Sequence, residues 1–176
     1  MEESILKSEE IYNGKLVKLH RVEVQLPDGE RSQRELVHHP GAVAIVAIDP
    51  DRRVLLVRQF RIAAERVLYE LPAGTLEDSE APDIAAVREL REETGYRPEK
   101  LEAIGGLYVA PGYTTEFIHL FLAQSLVFDP LDGDEDEFIE PVWMPYAQAL
   151  DLIEQGEIQD GKTQIGLLRI ARRLGS

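Results

Sequence analysis

Ala42-Val43-Ala44-Ile45-Val46-Ala47-Ile48 is an unbroken apolar run rich in β-branched residues. Half-buried strands alternate apolar and polar residues, and amphipathic helices repeat every three or four, so this run suits a strand buried on both faces. Asp49-Pro50-Asp51 turns it into a second apolar stretch, Val54-Leu55-Leu56-Val57-Arg58-Gln59-Phe60. Neither stretch approaches the ~20 residues that cross a bilayer, so no membrane span is expected.

Upstream, Val22, Val24 and Leu26 alternate with Glu23 and Gln25, the period of a half-buried strand. Pro27-Asp28-Gly29 is a turn signal, and Arg31 to Val37 returns as the second arm of a hairpin. Downstream, strand-like sequence recurs at Ile104–Val109, Phe117–Leu122 and Val142-Trp143-Met144. Residues from Tyr146 to Leu174 read as two short helices broken around Gly156–Gly161. A further helix lies between Ala81 and Gly95. Pro82 sits where a first-turn proline is tolerated, and Gly95 where a glycine ends a helix. Ile84, Val87 and Leu90 are expected to form its buried stripe. The class is α/β with a mixed sheet.

The 176 residues include no cysteine, which excludes disulfides, thiolate metal sites and thiol nucleophiles. The N-terminus Met1-Glu2-Glu3-Ser4 is acidic where a secretory signal would be basic, and a cytoplasmic location is expected. The net charge of −14 would repel a polyphosphate backbone, so no nucleic-acid partner is expected. Such acidity fits a solvated surface, or carboxylates that bind cations, and position decides between them.

The segment Arg88-Glu89-Leu90-Arg91-Glu92-Glu93-Thr94-Gly95 carries that decision. At 100° per residue Glu89, Glu92 and Glu93 share one helix face. Like charges at this spacing cost a few tenths of a kcal/mol per pair. Glu92 and Glu93 also lie in the last turn, where the helix dipole is negative, adding about 0.3–1 kcal/mol each. Two remedies fit the sequence: pairing with Arg88 and Arg91, or hard divalent cations, which prefer carboxylate oxygens.

Gly74, Glu80, Arg88-Glu89-Leu90, Glu92-Glu93 and Gly95 resemble the Nudix box at its fixed positions, with Tyr96 in the final slot where an aliphatic is usual. Val109-Ala110-Pro111-Gly112-Tyr113-Thr114-Thr115-Glu116, Arg58-Gln59-Phe60-Arg61, Glu70-Leu71-Pro72-Ala73-Gly74 and Arg34-Glu35 through Pro40-Gly41-Ala42-Val43 resemble the ADP-ribose pyrophosphatase branch of that family. The resemblance implies an α/β/α sandwich over 41–176, with the box at 74–96. It also implies an N-terminal strand region, 1–40, whose β-hairpin dimerises.

Several roles follow from the resemblance alone. Glu89, Glu92, Glu93 and the carbonyl of Ala73 would hold Mg²⁺, with Mn²⁺ a possible substitute, while Gly74, Glu80, Arg88 and Gly95 would shape the box. Arg61 would meet phosphate or the terminal ribose, with Glu77, Pro111, Gly112 and Glu116 near the substrate. Arg34 and Glu35 would approach the nucleobase in a homodimer. The catalytic base would come from the acidic loop Asp134–Glu140, Glu135 before Glu137, assisted by Glu89 and Glu93. The implied reaction is hydrolysis of ADP-ribose to AMP and ribose 5-phosphate. Another nucleoside diphosphate sugar, such as GDP-mannose, is the alternative substrate, and a non-catalytic ligand sensor is a minor one. The histidines His20, His38, His39 and His119 show no metal spacing and are read as structural.

Overall fold

In the computed structural model, which describes residues 1–133 and 138–174, the run at Ala42–Ile48 is a strand with every residue buried. The chain divides into two compact units, Met1–Gly41 with Tyr108–Phe117, and Ala42–Leu107 with the residues from Ile118 onward.

The first unit is a three-stranded antiparallel sheet of β1 (Ser4–Asn13), β2 (Lys18–Gln25) and β3 (Arg31–His38), in that order. The turn signal closes the β2–β3 hairpin as expected: Gly29 takes φ 91°, open to a residue without Cβ, and its N–H donates to the Leu26 carbonyl at 2.9 Å. Val22 and Val24 are buried, whereas every residue of β1 is exposed. Residues 108–117 join by hydrogen bonds: Val37 N–H donates to the Tyr113 carbonyl at 2.7 Å and Thr115 N–H to the Val37 carbonyl at 3.0 Å.

The second unit is built on β4 (Ala42–Ile48). Its other strands are β5 (Arg53–Arg61), β6 (Arg66–Glu70), β7 (Ala73–Thr75), β8 (Tyr96–Tyr108), β9 (Phe117–Phe128) and β10 (Ile139–Pro145). The order is β10-β5-β4-β9-β8, with β6 added beside β5 and β7 beside β4; β4 and β9 are parallel. Three helices, α1 (Pro82–Thr94), α2 (Tyr146–Glu154) and α3 (Gly161–Leu174), cover it. Ala42, Ala44, Val46 and Ile48 face a cluster with Tyr146, Ala149, Leu167 and Ile170 of α2 and α3. Val43, Ile45 and Ala47 face the opposite cluster, with Ala85, Ala86 and Leu90 of α1. An unbroken apolar run is thus required because both faces of β4 are roofed by helix. Each fully buried Val or Ile contributes roughly 1.5–3 kcal/mol.

The buried stripe of α1 differs from expectation. Ile84 is 60% exposed, and Ala85, Ala86, Leu90 and Thr94 are the buried positions. The two alanines let the helix backbone approach the sheet closely, and that approach rotates Ile84 outward.

Strands β4 and β5 pair directly only at Ala47↔Leu55 and Ile48↔Val54. Beyond that they diverge, β4 pairing with β7 and β5 with β6. The linking segment Leu71-Pro72 lies in this split, where Pro72 accepts a hydrogen bond from Ile45 N–H at 2.9 Å. Ala73 and Gly74 are thereby fixed to the central strand. Among the described residues no helix is long and apolar enough to cross a membrane.

Candidate active site

Helix α1 begins with Pro82 at its first turn and ends at Gly95, whose φ of 79° is left-handed and whose N–H donates to the Arg91 carbonyl at 2.9 Å. Arg88 is the hub of its acidic face. Its Nη1 donates to Glu89 Oε1 at 2.8 Å and Glu92 Oε2 at 2.9 Å. Its Nε and Nη2 form a fork on Glu80, both at 2.9 Å. That fork holds the Glu80 carboxyl below the usual carboxylate range, against the opposing effect of burial. Arg88 thus pairs at once with Glu80, Glu89 and Glu92. Arg91 does not join in. It pairs instead with Asp129, Nε to the Asp129 carbonyl at 2.8 Å and Nη2 to Oδ1 at 3.2 Å.

Glu93 reaches back to the split in the sheet, where its Oε2 accepts the Ala73 N–H at 3.0 Å. Gly74 has a steric reason to be glycine: a Cβ there would overlap the Glu89 carboxylate. Box loop and box helix thus meet carboxylate to backbone, and a side chain at Gly74 would have to displace the Glu89 carboxylate. One guanidinium serves Glu80, Glu89 and Glu92, and Glu93 adds a further carboxylate nearby. The all-oxygen donor set suits a hard divalent cation. Among the described residues no three acids are gathered at ligand geometry, with Arg88 bridging Glu89 and Glu92.

A second ionic group joins β5, β6 and the start of α3, and its assembly the sequence did not announce. Glu70 ends β6 at 2% exposure and receives a two-point grip from Arg61, Nε to Oε1 at 2.8 Å and Nη2 to Oε2 at 2.9 Å. Lys162 Nζ also donates to Glu70 Oε2, and pairs with Asp160 Oδ2 at 3.1 Å. Burial pushes the Glu70 carboxyl up, but Arg61 and Lys162 outweigh it and hold it below the usual range. The available signal was an acid closing a strand of otherwise apolar character, just before Leu71-Pro72. Lys162 and Asp160 lie too far along the chain for any periodicity to connect them to it.

The remaining expected residues fall as follows. In the first unit Arg34, Glu35, Pro111 and Gly112 line one cavity of about 330 Å³, together with Glu3, Val22 and Val24. Arg34 is already held there, Nη2 to Glu3 Oε1 at 2.6 Å and Nη1 to Ser32 Oγ at 2.8 Å. Glu116 belongs to the same unit, its N–H donating to Thr114 Oγ1 at 3.2 Å. Glu77 in the second unit is exposed, and its N–H donates to Glu80 Oε2 at 3.1 Å. Glu135 and Glu137 lie outside the described residues.

Residues 37–163 match the NUDIX domain family. The chain is similar to an ADP-ribose pyrophosphatase of Bacillus subtilis (strain 168), 43% identical over 93% of this chain and 89% of that protein. It is also similar to a methanol dehydrogenase activator of Bacillus methanolicus, 41% identical over 94% and 91%. A GDP-mannose pyrophosphatase of Cronobacter sakazakii is 37% identical over 83% and 82%. A solved structure described as an ADP compounds hydrolase superposes with a TM-score of 0.88 at 27% identity, over 99% of this chain and 95% of that one. Box geometry, family match and relatives agree, and the chain belongs to the Nudix family.

Proposed function

We propose that this protein hydrolyses the pyrophosphate bond of ADP-ribose, giving AMP and ribose 5-phosphate, and that it requires Mg²⁺, with Mn²⁺ as a substitute. The observation that carries the reading is the acidic face of α1, where Glu89 and Glu92 share the Arg88 guanidinium, Glu93 accepts the Ala73 N–H, and the Glu89 carboxylate abuts Gly74. Those three carboxylates, with the Ala73 carbonyl, would hold the cation. When bound, a divalent cation neutralises pyrophosphate charge and lowers the pKa of coordinated water. Arg88 and Glu80 keep the glutamate carboxylates aimed, and Glu93 ties the helix to the Ala73 backbone.

Arg61 meets the phosphates or the terminal ribose, with Glu77 close to the substrate. Arg34, Glu35, Pro111 and Gly112 receive the adenosine end, and Glu116 lies near it. The cavity those first four residues share supports that assignment. Glu135, or else Glu137, takes the proton from the attacking water. Ile5, Leu6, Ile11 and Tyr12 on the fully exposed β1 support a homodimer through the N-terminal strands, because an uncovered apolar edge invites uncontrolled pairing. The acidic, cysteine-free composition supports a cytoplasmic location.

A second substrate reading, GDP-mannose, is supported by the relative of that activity. One panel separates them: ADP-ribose, GDP-mannose, UDP-glucose and NADH, each with Mg²⁺, Mn²⁺ or EDTA, with products resolved by chromatography. We expect ADP-ribose to give the highest kcat/KM, AMP as product, and no turnover in EDTA. A preference for GDP-mannose would overturn the substrate, and full activity in EDTA would overturn the cation.

A further inference from the structure

The Arg61 guanidinium is held along one edge only. Nε and Nη2 grip Glu70, while Nη1 makes no hydrogen bond among the described residues and the side chain is 41% exposed. Behind it the network runs inward. Lys162, which is 13% exposed, also grips Glu70, at the same Oε2 that Arg61 Nη2 reaches. Lys162 is braced by Asp160, whose Oδ2 also accepts the Thr163 N–H at 3.0 Å and the Thr163 hydroxyl at 2.5 Å. Thr163, wholly buried, accepts the N–H of Leu71 at 2.8 Å through its Oγ1. The chain of contacts therefore returns to the residue next to Glu70, pinning the start of α3 against the strand that carries it.

Stability alone is a poor reason for this arrangement. Charges withdrawn from water recover little net energy, and well-packed apolar residues serve as well or better at such positions. What a braced carboxylate does supply is a fixed direction. An arginine on a flexible stem loses rotamer freedom when it grips an anion, and one already immobilised along its inner edge does not lose it again on binding. Two cations on Glu70 also keep that carboxylate ionised and stationary, so it cannot swing out with Arg61 toward solvent. The charge of Glu93 bears on Arg61 as well.

We propose that Lys162, braced by Asp160 and acting through buried Glu70, is a positioning residue that presents the free edge of Arg61 to the phosphates of the substrate. This rests on the proposal above that Arg61 is a phosphate contact.

The test is a double-mutant cycle in the full chain, measured on both ADP-ribose and GDP-mannose with Mg²⁺, using Lys162→Met, Arg61→Ala and the pair. Lys162→Met should raise KM about tenfold and change kcat less than about threefold, the pattern of lost ground-state binding. The double variant should be no worse than Arg61→Ala, because Lys162 has nothing left to position. If the double loses the full Lys162 factor on top of the Arg61 factor, Lys162 does not act through Arg61 and the proposal falls. Should Lys162→Met fail to fold, Asp160→Asn, which loosens the brace from a less buried position, takes its place in the cycle. A substrate-independent readout is the ¹⁵Nε–¹Hε signal of Arg61, sharp and slowly exchanging in the wild type and shifted or broadened in the variant. An unchanged signal overturns the network; an altered signal in a protein that turns over neither substrate overturns only the functional reading.

Discussion

The ionic clusters around Arg88 and around Glu70, both in the second unit, differ in balance. Around Arg88 one guanidinium faces Glu80, Glu89 and Glu92. Around Glu70 two cations, Arg61 and Lys162, meet two acids, Glu70 and Asp160. The first cluster is short of positive charge at the negative end of a helix dipole, a state that favours an added cation. The second is balanced in charge around Glu70, which is 2% exposed. On the proposed reading, the site that receives an ion leaves charge uncompensated, and the group that fixes a direction compensates it.

The largest effect that could break this contrast is on rate. Glu93→Gln keeps the volume of a proposed cation ligand and removes its charge, and we expect kcat to fall by at least about a hundredfold in saturating Mg²⁺. Because the change also relieves repulsion in the last turn of α1, the melting temperature in EDTA should stay level or rise slightly. Near wild-type turnover would sink the view of α1 as a cation site.

Next comes a stability effect on the balanced cluster. Glu70→Ala leaves Arg61 and Lys162 without their shared anion, and we expect denaturant unfolding to show a loss of about 2–3 kcal/mol. That is less than the ~3–5 kcal/mol typical when a buried pair is broken, since Arg61 can turn to water. Glu80→Ala, by contrast, removes one acid from a cluster already rich in acids and leaves Arg88 paired with Glu89 and Glu92, so it should cost less than Glu70→Ala. Equal losses from the two variants would erase the distinction between the clusters.

A smaller expected effect concerns pH. The folded state holds the Glu70 carboxyl below its ordinary value of 4.5. In the window between those values the unfolded chain binds more protons, so stability rises with pH. Its contribution is complete above about pH 5.5 and is lost as pH falls through the lowered folded value. Urea unfolding from pH 6 down to pH 3 should therefore show a steeper loss in the wild type than in Glu70→Gln. Parallel curves would mean that Glu70 is not held ionised by its two cations.

Local features were legible because their causes are local. The α1 boundaries follow from the stereochemistry of Pro82 and Gly95, and the β2–β3 hairpin from Pro27-Asp28-Gly29. The Nudix family was readable for a related reason: Gly74, Glu80, Arg88, Glu89, Glu92 and Glu93 sit on one loop and one helix, so fixed spacing in sequence is fixed spacing in space. β1, β6 and β7 were not anticipated. β7 is three residues long and owes its existence to pairing with β4, which no residue within it advertises.

The sequence by itself determined that β4 must be roofed on both faces, since seven consecutive apolar side chains point alternately to opposite sides of a strand. It also determined that carboxylates collect on one face of α1, because helical periodicity depends on nothing outside the helix. Only the tertiary structure decided that Ile84 faces outward, because the close approach that Ala85 and Ala86 permit sets the rotation of the helix. Only it joined Glu70 to Lys162, 92 residues away, and His39 to Thr115, 76 away. Such pairings carry no periodicity in the chain. They exist because packing brings distant backbone together, and buried polar groups must then find partners among whatever neighbours packing supplies.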